Sequence, residues 1–436
     1  MVSVDTIFAL STGRPPSGIA VIRMSGPDVC AALVAVAGSV PAPRIARYGP
    51  FRAAETIIDH GICLHFPGPN SVTGEDCCEF HVHGSAAVVN ALLAALADID
   101  GCRLAEAGEF TRRAFLNGRM DLTGVEGLSD LIAAETEAQR RMAVSSTSGR
   151  LRDLYLGWRT EILRMRAGIE AEMDFSDQDD VSDAVNHALA ARIDALVWEI
   201  DGHLRRYRQS EIVRSGYRVV ILGAPNAGKS SLLNALAMRD VAIVTSEPGT
   251  TRDLIEVSLD LGGYKVVITD TAGIRETPGT VEAIGIERAL DAAMSADLVL
   301  IVEDVTVRTG FSSVAHRNVV RVGSKLDLGG DPESTGYDIC ISTKSGEGVA
   351  DLLAMITEMV KRDTTPATSA LPVRERHVLH LRAAKDALRR VASSDNALEL
   401  KAEELRIAAQ EVGRIVGMTD TEELLGEIFG RFCIGK

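Results

Sequence analysis

The pattern of apolar and polar positions divides the chain into three parts. In residues 1–118, short strand-like runs such as IAVIRMSG, GICLHFPG and CCEFHVHG are separated by Gly- and Pro-containing turns. A longer apolar run, AAVVNALLAALADI, is typical of a helix in the same part. We therefore expect a small α+β domain here.

The second pattern is helical. From about Asp121 to Glu211, and again over residues 378–418, apolar residues recur at spacings of three or four, which places them on one helix face. Ser182 and Asp183 are candidate caps, Gly417 is a stop signal, and Thr419-x-x-Glu422 has the form of a capping box that opens a last short helix. The apolar positions that define the two faces are Val181, Val185, Leu189, Ile193, Leu196, Ile200 and Leu204, and then Leu398, Leu405, Val412 and Ile415.

Strand, loop and helix patterns alternate over residues 215–375, between the two helical stretches. The predicted fold is therefore a multidomain α/β protein, with an α/β domain (215–375) inserted in an all-helical domain and an N-terminal α+β domain before both. The helical domain would be assembled from residues 119–214 and 376–436.

Composition adds limits on function. Apolar residues make up 46% of the 436 residues and the formal net charge is −15, whereas a protein built mainly to clamp nucleic acid is more often basic. The seven cysteines are scattered without the spacing of a zinc site. No signal peptide or membrane span is apparent, so we expect a cytoplasmic protein without membrane contact.

The motif GAPNAGKS, from Gly223 to Ser230, fits the phosphate-binding pattern GxxxxGK[ST]. It follows the strand-like run YRVVIL and precedes the helix-forming run SLLNALAM, which is the context that the motif requires. The backbone N–H groups would surround the phosphates, Lys229 would contact the terminal phosphates, and Ser230 would bind magnesium.

Two further segments complete a triphosphate site. Asp270-Thr-Ala-Gly273 ends the run YKVVITD, so the aspartate can hold magnesium through water and Gly273 can donate to the γ-phosphate. Between the motifs, GTTRD (249–253) supplies Thr251 as a further magnesium ligand, in a loop that would order around the γ-phosphate.

Guanine specificity is predicted from Ser324-Lys325-Leu326-Asp327, which resembles the NKxD element. Asp327 can accept from both N–H groups of the guanine edge, and Lys325 can lie along the base. Ser324 replaces the usual Asn, so we expect guanine preference to persist with weaker affinity. Downstream, Ser342-Thr-Lys344 resembles the SAK element near the base. The predicted GTP contacts are Asn226, Ala227, Gly228, Lys229, Ser230, Ser231, Thr245, Ser246, Glu247, Pro248, Gly249, Thr250, Thr251, Asp270, Thr271, Ala272, Gly273, Ser324, Lys325 and Asp327.

Taken together, the motifs resemble one family over the whole chain. The order GxPNxGKS, GTTRD and DTAG, the split helical domain, the segment AGEFTRRAFLNGRMDL and the terminal CIGK are all similar to the MnmE (TrmE) family of tRNA-modifying GTPases. The resemblance implies a homodimer that binds potassium and hydrolyses GTP when two G domains meet.

The resemblance also assigns roles to particular residues. It implies potassium ligands at Asn226, Thr245, Glu247 and Thr250, so a cation would take the role of an arginine finger. Glu282 matches the family's glutamate that orients the attacking water through a second water. Without the resemblance, Glu282 would be read as a solvated helix residue.

For the N-terminal domain, the resemblance implies binding of a tetrahydrofolate derivative, 5-formyl or 5,10-methylene, as one-carbon donor. The matching positions are Arg23, Glu79, Arg119 and Lys436, and Arg119 stands where many members have Lys. Cys433 is a candidate nucleophile or part of a structural tail, and both interpretations stay open.

Two histidines on the probable strand also bear on metal binding. His81 and His83 alternate along it, and without a third ligand in spacing we expect ordinary strand packing there.

The implied reaction is the addition of an aminomethyl or carboxymethylaminomethyl group to carbon 5 of the wobble uridine of certain tRNAs. The resemblance implies an FAD-dependent partner of the MnmG type, in a heterotetramer or larger complex. One alternative is a ribosome-assembly GTPase of the Era or Der type, which would need a KH-like module with a GxxG loop. Another is a dimeric scaffold with a degenerate nucleotide site, suggested by Ser324.

Overall fold

The computed structural model describes residues 5–174, 182–239, 241–243, 255–270, 291–307, 314–329, 336–364, 371–393, 398–418, 426, 428–430, 432 and 434–435. The chain forms two compact units. The first contains Met1–Ser129, Arg152–Arg164 and Arg406–Lys436, and the second contains Asp130–Leu151 and Met165–Leu405.

The N-terminal sheet of the first unit has the order β3-β4-β5-β2-β1-β6, in which β1 and β6 are parallel and the other pairs are antiparallel. Helices α1 and α2 cover one face with a core that includes Leu33, Phe80 and Leu92. The elements are β1 Thr6–Leu10, β2 Ser17–Ser25, α1 Val29–Ala37, β3 Arg47–Ala53, β4 Thr56–Phe66, β5 Cys77–Gly84, α2 Ala86–Ala97, β6 Cys102–Leu104, α3 Glu109–Leu116 and α4 Leu122–Ile132.

The described residues between 429 and 435 contact the N-terminal part of this first unit. Ile434 forms a backbone bridge with Ala107, and the Ser11 hydroxyl donates to the Gly435 carbonyl at 2.9 Å. Phe429 and Phe432 pack into an apolar cluster with Leu122 and Val125. These contacts fix the C-terminal tail beside β1.

The second sheet has the order β12-β11-β10-β7-β9-β8, in which only the β8–β9 pair is antiparallel. Its parallel strands are nearly continuous apolar runs because both faces are covered. The elements of this domain are β7 Tyr217–Leu222, α9 Lys229–Ala237, β8 Ile255–Leu261, β9 Tyr264–Asp270, β10 Leu298–Asp304, β11 Val319–Ser324, β12 Ile339–Cys340 and α10 Val349–Asp363.

Helices flank this sheet in sequence on both sides. Before it come α5 Glu137–Thr147, α6 Arg150–Asp174, α7 Ser182–Arg205 and α8 Tyr207–Ser215, and after it come α11 Glu375–Ser393 and α12 Leu398–Val416.

Helices α7 and α11 contact each other within the second unit. Lys385 donates to Asp201 at 2.7 Å and Arg389 donates to the other carboxylate oxygen at 3.1 Å. The centre of the predicted helix face is confirmed, since Ile193, Leu196 and Ile200 are buried. Leu189 and Leu204, towards its two ends, are half-buried. The predicted fold class, an α/β domain inserted in a helical one, is confirmed.

Within the predicted helical stretch 378–418, α11 ends at Ser393 and α12 begins at Leu398. Gly417 follows α12 with φ +82°, the left-handed conformation of a helix stop, as predicted. The predicted capping box at Thr419 and Glu422 lies outside the described residues.

Candidate functional site

The phosphate-binding loop joins β7 to α9 at the carboxyl edge of the parallel sheet. Three of its residues have positive φ: Gly223 (155°), Asn226 (63°) and Gly228 (92°). At Gly223 a Cβ atom would lie 2.1 Å from the Val302 carbonyl oxygen on β10, so only glycine fits. The loop is therefore shaped by its own glycines and by the neighbouring strand, and it ends at the amino terminus of α9, where the helix dipole favours an anion.

Lys229 is folded back over this loop. Its ammonium donates to the carbonyls of Gly223 and Ala224, each at 2.9 Å, and its side chain is buried. Burial lowers the pKa of Lys229, and the Asp270 carboxylate acts in the opposite direction. The charge thus lies inside the loop, where the phosphates of a nucleotide would be bound.

Ser230 and Asp270 meet beside the loop. The Ser230 hydroxyl donates to Asp270 Oδ2 at 2.8 Å, and Asp270 is fully buried at the end of β9. A hydroxyl and a carboxylate are hard oxygen donors of the kind that magnesium prefers, so the pair fits the ion that the sequence implied. The structure brings together these two residues from motifs 40 positions apart.

The base-binding end lies after β11. Asp327 accepts a hydrogen bond from the buried Ser342 hydroxyl at 2.8 Å, which orients one carboxylate oxygen. The backbone N–H of Leu326 donates to the Ile341 carbonyl at 3.1 Å, so the two loops are held side by side. Lys325 has φ +60° and donates to Asp304 Oδ2 at 2.7 Å. The resemblance of Ser342 to the SAK element therefore has a geometric counterpart.

Ser324, which replaces the usual Asn, contacts the phosphate-binding loop directly. Its hydroxyl lies 2.6 Å from the Ala227 carbonyl and 3.1 Å from the Glu303 carbonyl. Ser324 is 2% exposed, so water cannot replace this donor. The shorter side chain thus still connects the base-binding loop to the phosphate-binding loop.

Several predicted site residues lie outside the described residues. They are the potassium, magnesium and GTP contacts Thr245, Ser246, Glu247, Pro248, Gly249, Thr250, Thr251, Thr271, Ala272 and Gly273, the catalytic candidate Glu282, and the tail residues Cys433 and Lys436. Ser231 is described within α9, next to Ser230.

A second candidate site is a cavity of about 280 Å³ on the N-terminal sheet. Arg23 on β2 and Glu79 on β5 face it as an ion pair with an N–O distance of 2.8 Å, and His81 Nε2 lies 3.2 Å from the other Glu79 oxygen. The remaining lining residues are Arg44, Phe66, Asn70, Ser71, Val72 and Cys77. The cavity therefore combines a carboxylate, two guanidinium groups and an aromatic ring.

Sequence reasoning missed Arg44 and Phe66. The Arg44 guanidinium lies 5.6 Å from the centroid of the Phe66 ring and donates to the Asn70 carbonyl. Neither residue belongs to a recognisable motif, and only the pairing of β4 with β5 brings Phe66 beside Cys77. The one sequence feature that could have pointed to this cavity is the turn Gly68-Pro-Asn-Ser71 after β4, because Asn70 and Ser71 line it.

Arg119 lies near the loop that follows β4. The Cγ atom of Arg119 is 3.1 Å from the position that a Cβ of Gly74 would occupy, and Asn117 donates to the Thr73 carbonyl at 2.8 Å. Arg119 is therefore placed against the loop that carries Asn70 and Ser71, and it is not among the residues that line the cavity.

His81 and His83 each contact a carboxylate. His83 Nδ1 lies 2.9 Å from Asp59 and its side chain is largely exposed, whereas His81 faces Glu79. The two histidines thus have separate acidic partners.

No helix in the described part of the chain is long and apolar enough to cross a membrane.

Comparisons with known proteins extend over the whole chain. The family model described as the GTP-binding protein TrmE N-terminus matches residues 6–119, and that of the MnmE helical domain matches residues 122–433. The tRNA modification GTPase MnmE of Brucella anthropi is 51% identical over 99% of this chain and 98% of that protein. The protein of the same name from Chelativorans sp. is 53% identical, over 99% of this chain and 98% of its own length.

Among solved structures, Aquifex aeolicus Era is 21% identical, with a TM-score of 0.27 over 41% of this chain and 68% of that one, which is too low to bear on function. The two family models and the full-length identity agree with the motifs and with the geometry described above. The chain belongs to the MnmE (TrmE) family.

Proposed function

We propose that this protein binds and hydrolyses GTP as a component of the machinery that modifies carbon 5 of the wobble uridine in certain tRNAs. The observation that carries the proposal is the meeting of Lys229, Ser230 and Asp270 at one sheet edge, with Asp327 and Ser342 at the same edge. The tRNA part rests on the relatives, whose name is tRNA modification GTPase and which match 99% of the chain. No observation favours an Era- or Der-type ribosome-assembly role.

We infer that residues of this chain position the nucleotide. Lys229 exchanges its two loop carbonyls for phosphate oxygens, and the loop N–H groups donate to the β-phosphate. Ser230 and Asp270, with Thr251 from the GTTRD segment, would hold magnesium, which neutralises charge on the phosphates when bound. Asp327 accepts from the guanine N1–H and exocyclic amine, while Ser342 fixes the carboxylate orientation.

The proposal includes a site for a monovalent cation beside the phosphate-binding loop. Asn226 is exposed in the phosphate-binding loop and has φ +63°. Asn adopts this left-handed backbone conformation more readily than most residues, and the conformation sets the direction of its side chain. With Thr245, Glu247 and Thr250 it would hold potassium, and Glu282 would orient the attacking water. Charge neutralisation then requires no arginine finger.

The N-terminal cavity is proposed to bind a tetrahydrofolate derivative, 5-formyl or 5,10-methylene. Glu79 offers a carboxylate that can accept two N–H bonds from a pterin edge, and Arg23 holds that carboxylate in place. Phe66 supplies an apolar surface for a planar ring. Ile434 and Gly435 contact Ala107 and Ser11 of this domain, and Cys433 and Lys436 are their neighbours in sequence.

The proposed assembly is a homodimer that acts with an FAD-dependent partner of the MnmG type and with tRNA. The net charge of −15 supports a division of labour in which the partner provides much of the basic surface for tRNA.

Hydrolysis is tested by GTP turnover in potassium and sodium buffers of equal ionic strength. We expect faster turnover in potassium, and equal rates would refute the potassium mechanism. Glu282→Ala should retain GTP binding and lose turnover, so retained turnover would exclude Glu282 from catalysis.

Guanine recognition is tested with Asp327→Asn. We expect weaker GTP binding and stronger binding of the xanthine nucleotide, because the amide N–H then faces the donors of guanine but the acceptor of xanthine. Glu358→Gln, which changes an exposed carboxylate on α10, should leave this preference for guanine unchanged. Unaltered base preference in Asp327→Asn would contradict the assignment.

The folate site is tested by equilibrium binding of 5-formyl-tetrahydrofolate to Glu79→Gln and to His83→Gln as control. We expect loss of binding only in Glu79→Gln, since His83 is paired with Asp59 outside the cavity. Failure of the unmodified protein to bind would remove this part of the proposal without affecting the GTPase part.

A further inference from the structure

A cluster of three different metal-binding side chains lies in the N-terminal domain, outside both sites described above. Candidate ligand atoms of Cys30, His65 and Asp76 all lie within 4.8 Å of one another. Cys30 is in the first turn of α1, His65 is near the end of β4, and Asp76 immediately precedes β5. These residues are far apart in sequence and form no recognisable motif.

The imidazole of His65 is the first argument for a ligand. It is 7% exposed, and no described residue forms a hydrogen bond with its Nδ1 atom. Its Nε2 atom lies 3.9 Å from the Cys30 sulfur, which is a weak contact for a buried ring nitrogen. An ion bound to the Nε2 lone pair would replace this weak sulfur contact with an ordinary ligand bond, and Nδ1 would then carry the ring proton.

The positions of the ligands are the second argument. In a tetrahedral zinc site, bond lengths of about 2.0–2.3 Å place the ligand atoms roughly 3.3–3.6 Å apart. The 3.9 Å between sulfur and Nε2 therefore needs to shorten by only a few tenths of an ångström. The Asp76 ligand atom, which lies within 4.8 Å of the other two, has to approach them by up to roughly 1.5 Å. Its segment is held nearby, because Asp76 Oδ1 accepts from the Gly68 N–H at 2.8 Å and its carbonyl accepts from the Gly26 N–H at 2.9 Å.

We propose that Cys30, His65 and Asp76 form a zinc site with one position open to water. Thiolate, imidazole and carboxylate are together the ligand types of zinc, whereas magnesium and calcium avoid sulfur. A thiolate and a carboxylate neutralise the dication, so the half-buried site carries no net charge. Binding converts the Cys30 thiol to thiolate and releases one proton to solvent.

The site is separate from the folate cavity. In the antiparallel β4–β5 pair His65 is opposite Cys78, on the face that packs against α1, whereas Phe66 is opposite Cys77, which lines the cavity. The metal would nevertheless join the two ends of the β4–β5 loop, which carries Asn70, Ser71 and Val72. Its role is therefore structural: it would tie α1 to both stems of this loop.

The test uses the full chain, freed of metal with a chelator and then supplied with magnesium and GDP to occupy the nucleotide site. Cobalt is titrated as a spectroscopic substitute and is then displaced by zinc. We expect one cobalt per chain, a sulfur-to-cobalt charge-transfer band, and intense visible bands typical of tetrahedral coordination. Zinc should also raise the thermal unfolding midpoint.

Variants assign the ligands. Cys30→Ser should abolish the charge-transfer band. Asp76→Asn keeps the oxygen that accepts from the Gly68 N–H but loses the carboxylate charge, so it should weaken metal binding by more than about tenfold. A tenfold loss of metal affinity is the lower end of what is typical when a residue that only supports a ligand is changed. Cys102→Ser is the matched control, since it changes another half-buried cysteine of the same domain. Circular dichroism of the metal-free variants checks that they fold.

Three outcomes would overturn the proposal. They are the absence of stoichiometric cobalt or zinc binding, a thiolate band that persists in Cys30→Ser or disappears in Cys102→Ser, and equal affinity in Asp76→Asn and the unmodified chain. None of them depends on GTP hydrolysis or folate binding.

Discussion

The link from Ser324 to the phosphate-binding loop gives the sharpest test of how the nucleotide site is held together. Ser324→Ala removes a buried hydroxyl that lies 2.6 Å from the Ala227 carbonyl and 3.1 Å from the Glu303 carbonyl. Because both acceptors would remain buried without this donor, the free energy of unfolding should fall by about 1–3 kcal/mol. Part of that loss, about 1 kcal/mol, should appear as weaker GDP binding, which is about fivefold in Kd.

Ser210→Ala is a closely matched control. Ser210 is 1% exposed, and its hydroxyl also lies within hydrogen-bond distance of two backbone carbonyls, those of Tyr207 and Pro372, away from the nucleotide site. The control should lose similar stability and keep the unmodified affinity for GDP. Urea unfolding measures the first quantity, and titration with a fluorescent GDP analogue measures the second.

Two results would refute the reasoning. If Ser324→Ala binds GDP as tightly as Ser210→Ala does, the contact supports folding but not the phosphate-binding loop. If Ser324→Ala loses neither stability nor affinity for GDP, the Ser324 hydrogen bond contributes to neither folding nor nucleotide binding. Ser324→Asn, whose amide can donate to the same carbonyl, should bind GDP at least as well as the unmodified protein.

Three further predictions concern stability. Gly223→Ala should prevent GDP binding measured by titration and lower the unfolding midpoint, because its Cβ would lie 2.1 Å from the Val302 carbonyl oxygen. Arg113→Met should lower the free energy of unfolding, measured in urea, by about 3–5 kcal/mol, because it leaves the carboxylate partners of a 6% exposed guanidinium without their counter-charge. Arg140→Met, which changes an exposed arginine, should have no measurable effect on that free energy. Burial lowers the pKa of His203 to about 3, so the unfolded state binds the extra proton below its usual pKa of 6.5. Stability should therefore fall by about 1.4 kcal/mol between pH 7.5 and 5.5, and His203→Gln should lack this contribution.

Local patterns predicted the elements of the fold well. The runs YRVVIL and YKVVITD became β7 and β9 because continuous apolar stretches of this length suit a sheet covered on both faces. The spacing of Ile193, Leu196 and Ile200 gave the buried face of α7.

Contacts between distant segments were predictable only where a motif already implied them. The meeting of Ser230 with Asp270 follows from the motif order, since the carboxyl ends of parallel strands share one edge. No pattern placed Arg44 over Phe66, or Cys30 beside His65, because each pair depends on how β4 packs against a separate part of the chain. Likewise, the replacement of the usual Asn by Ser324 predicted weaker guanine affinity, and only the structure shows that the Ser324 hydroxyl reaches the Ala227 carbonyl.

The state of Lys229 limits what phosphate binding can contribute. Its ammonium already donates to the Gly223 and Ala224 carbonyls, so a nucleotide replaces two hydrogen bonds and does not add them to an unpaired charge. Lys229 therefore contributes binding free energy by exchanging neutral carbonyl acceptors for anionic phosphate oxygens, which form stronger, charge-assisted hydrogen bonds. Since Lys229 is buried, this difference is less screened by water than it would be at the surface. Affinity should therefore depend on the charge of the phosphates more than on the number of contacts, and Lys229→Gln should weaken GTP binding more than GMP binding.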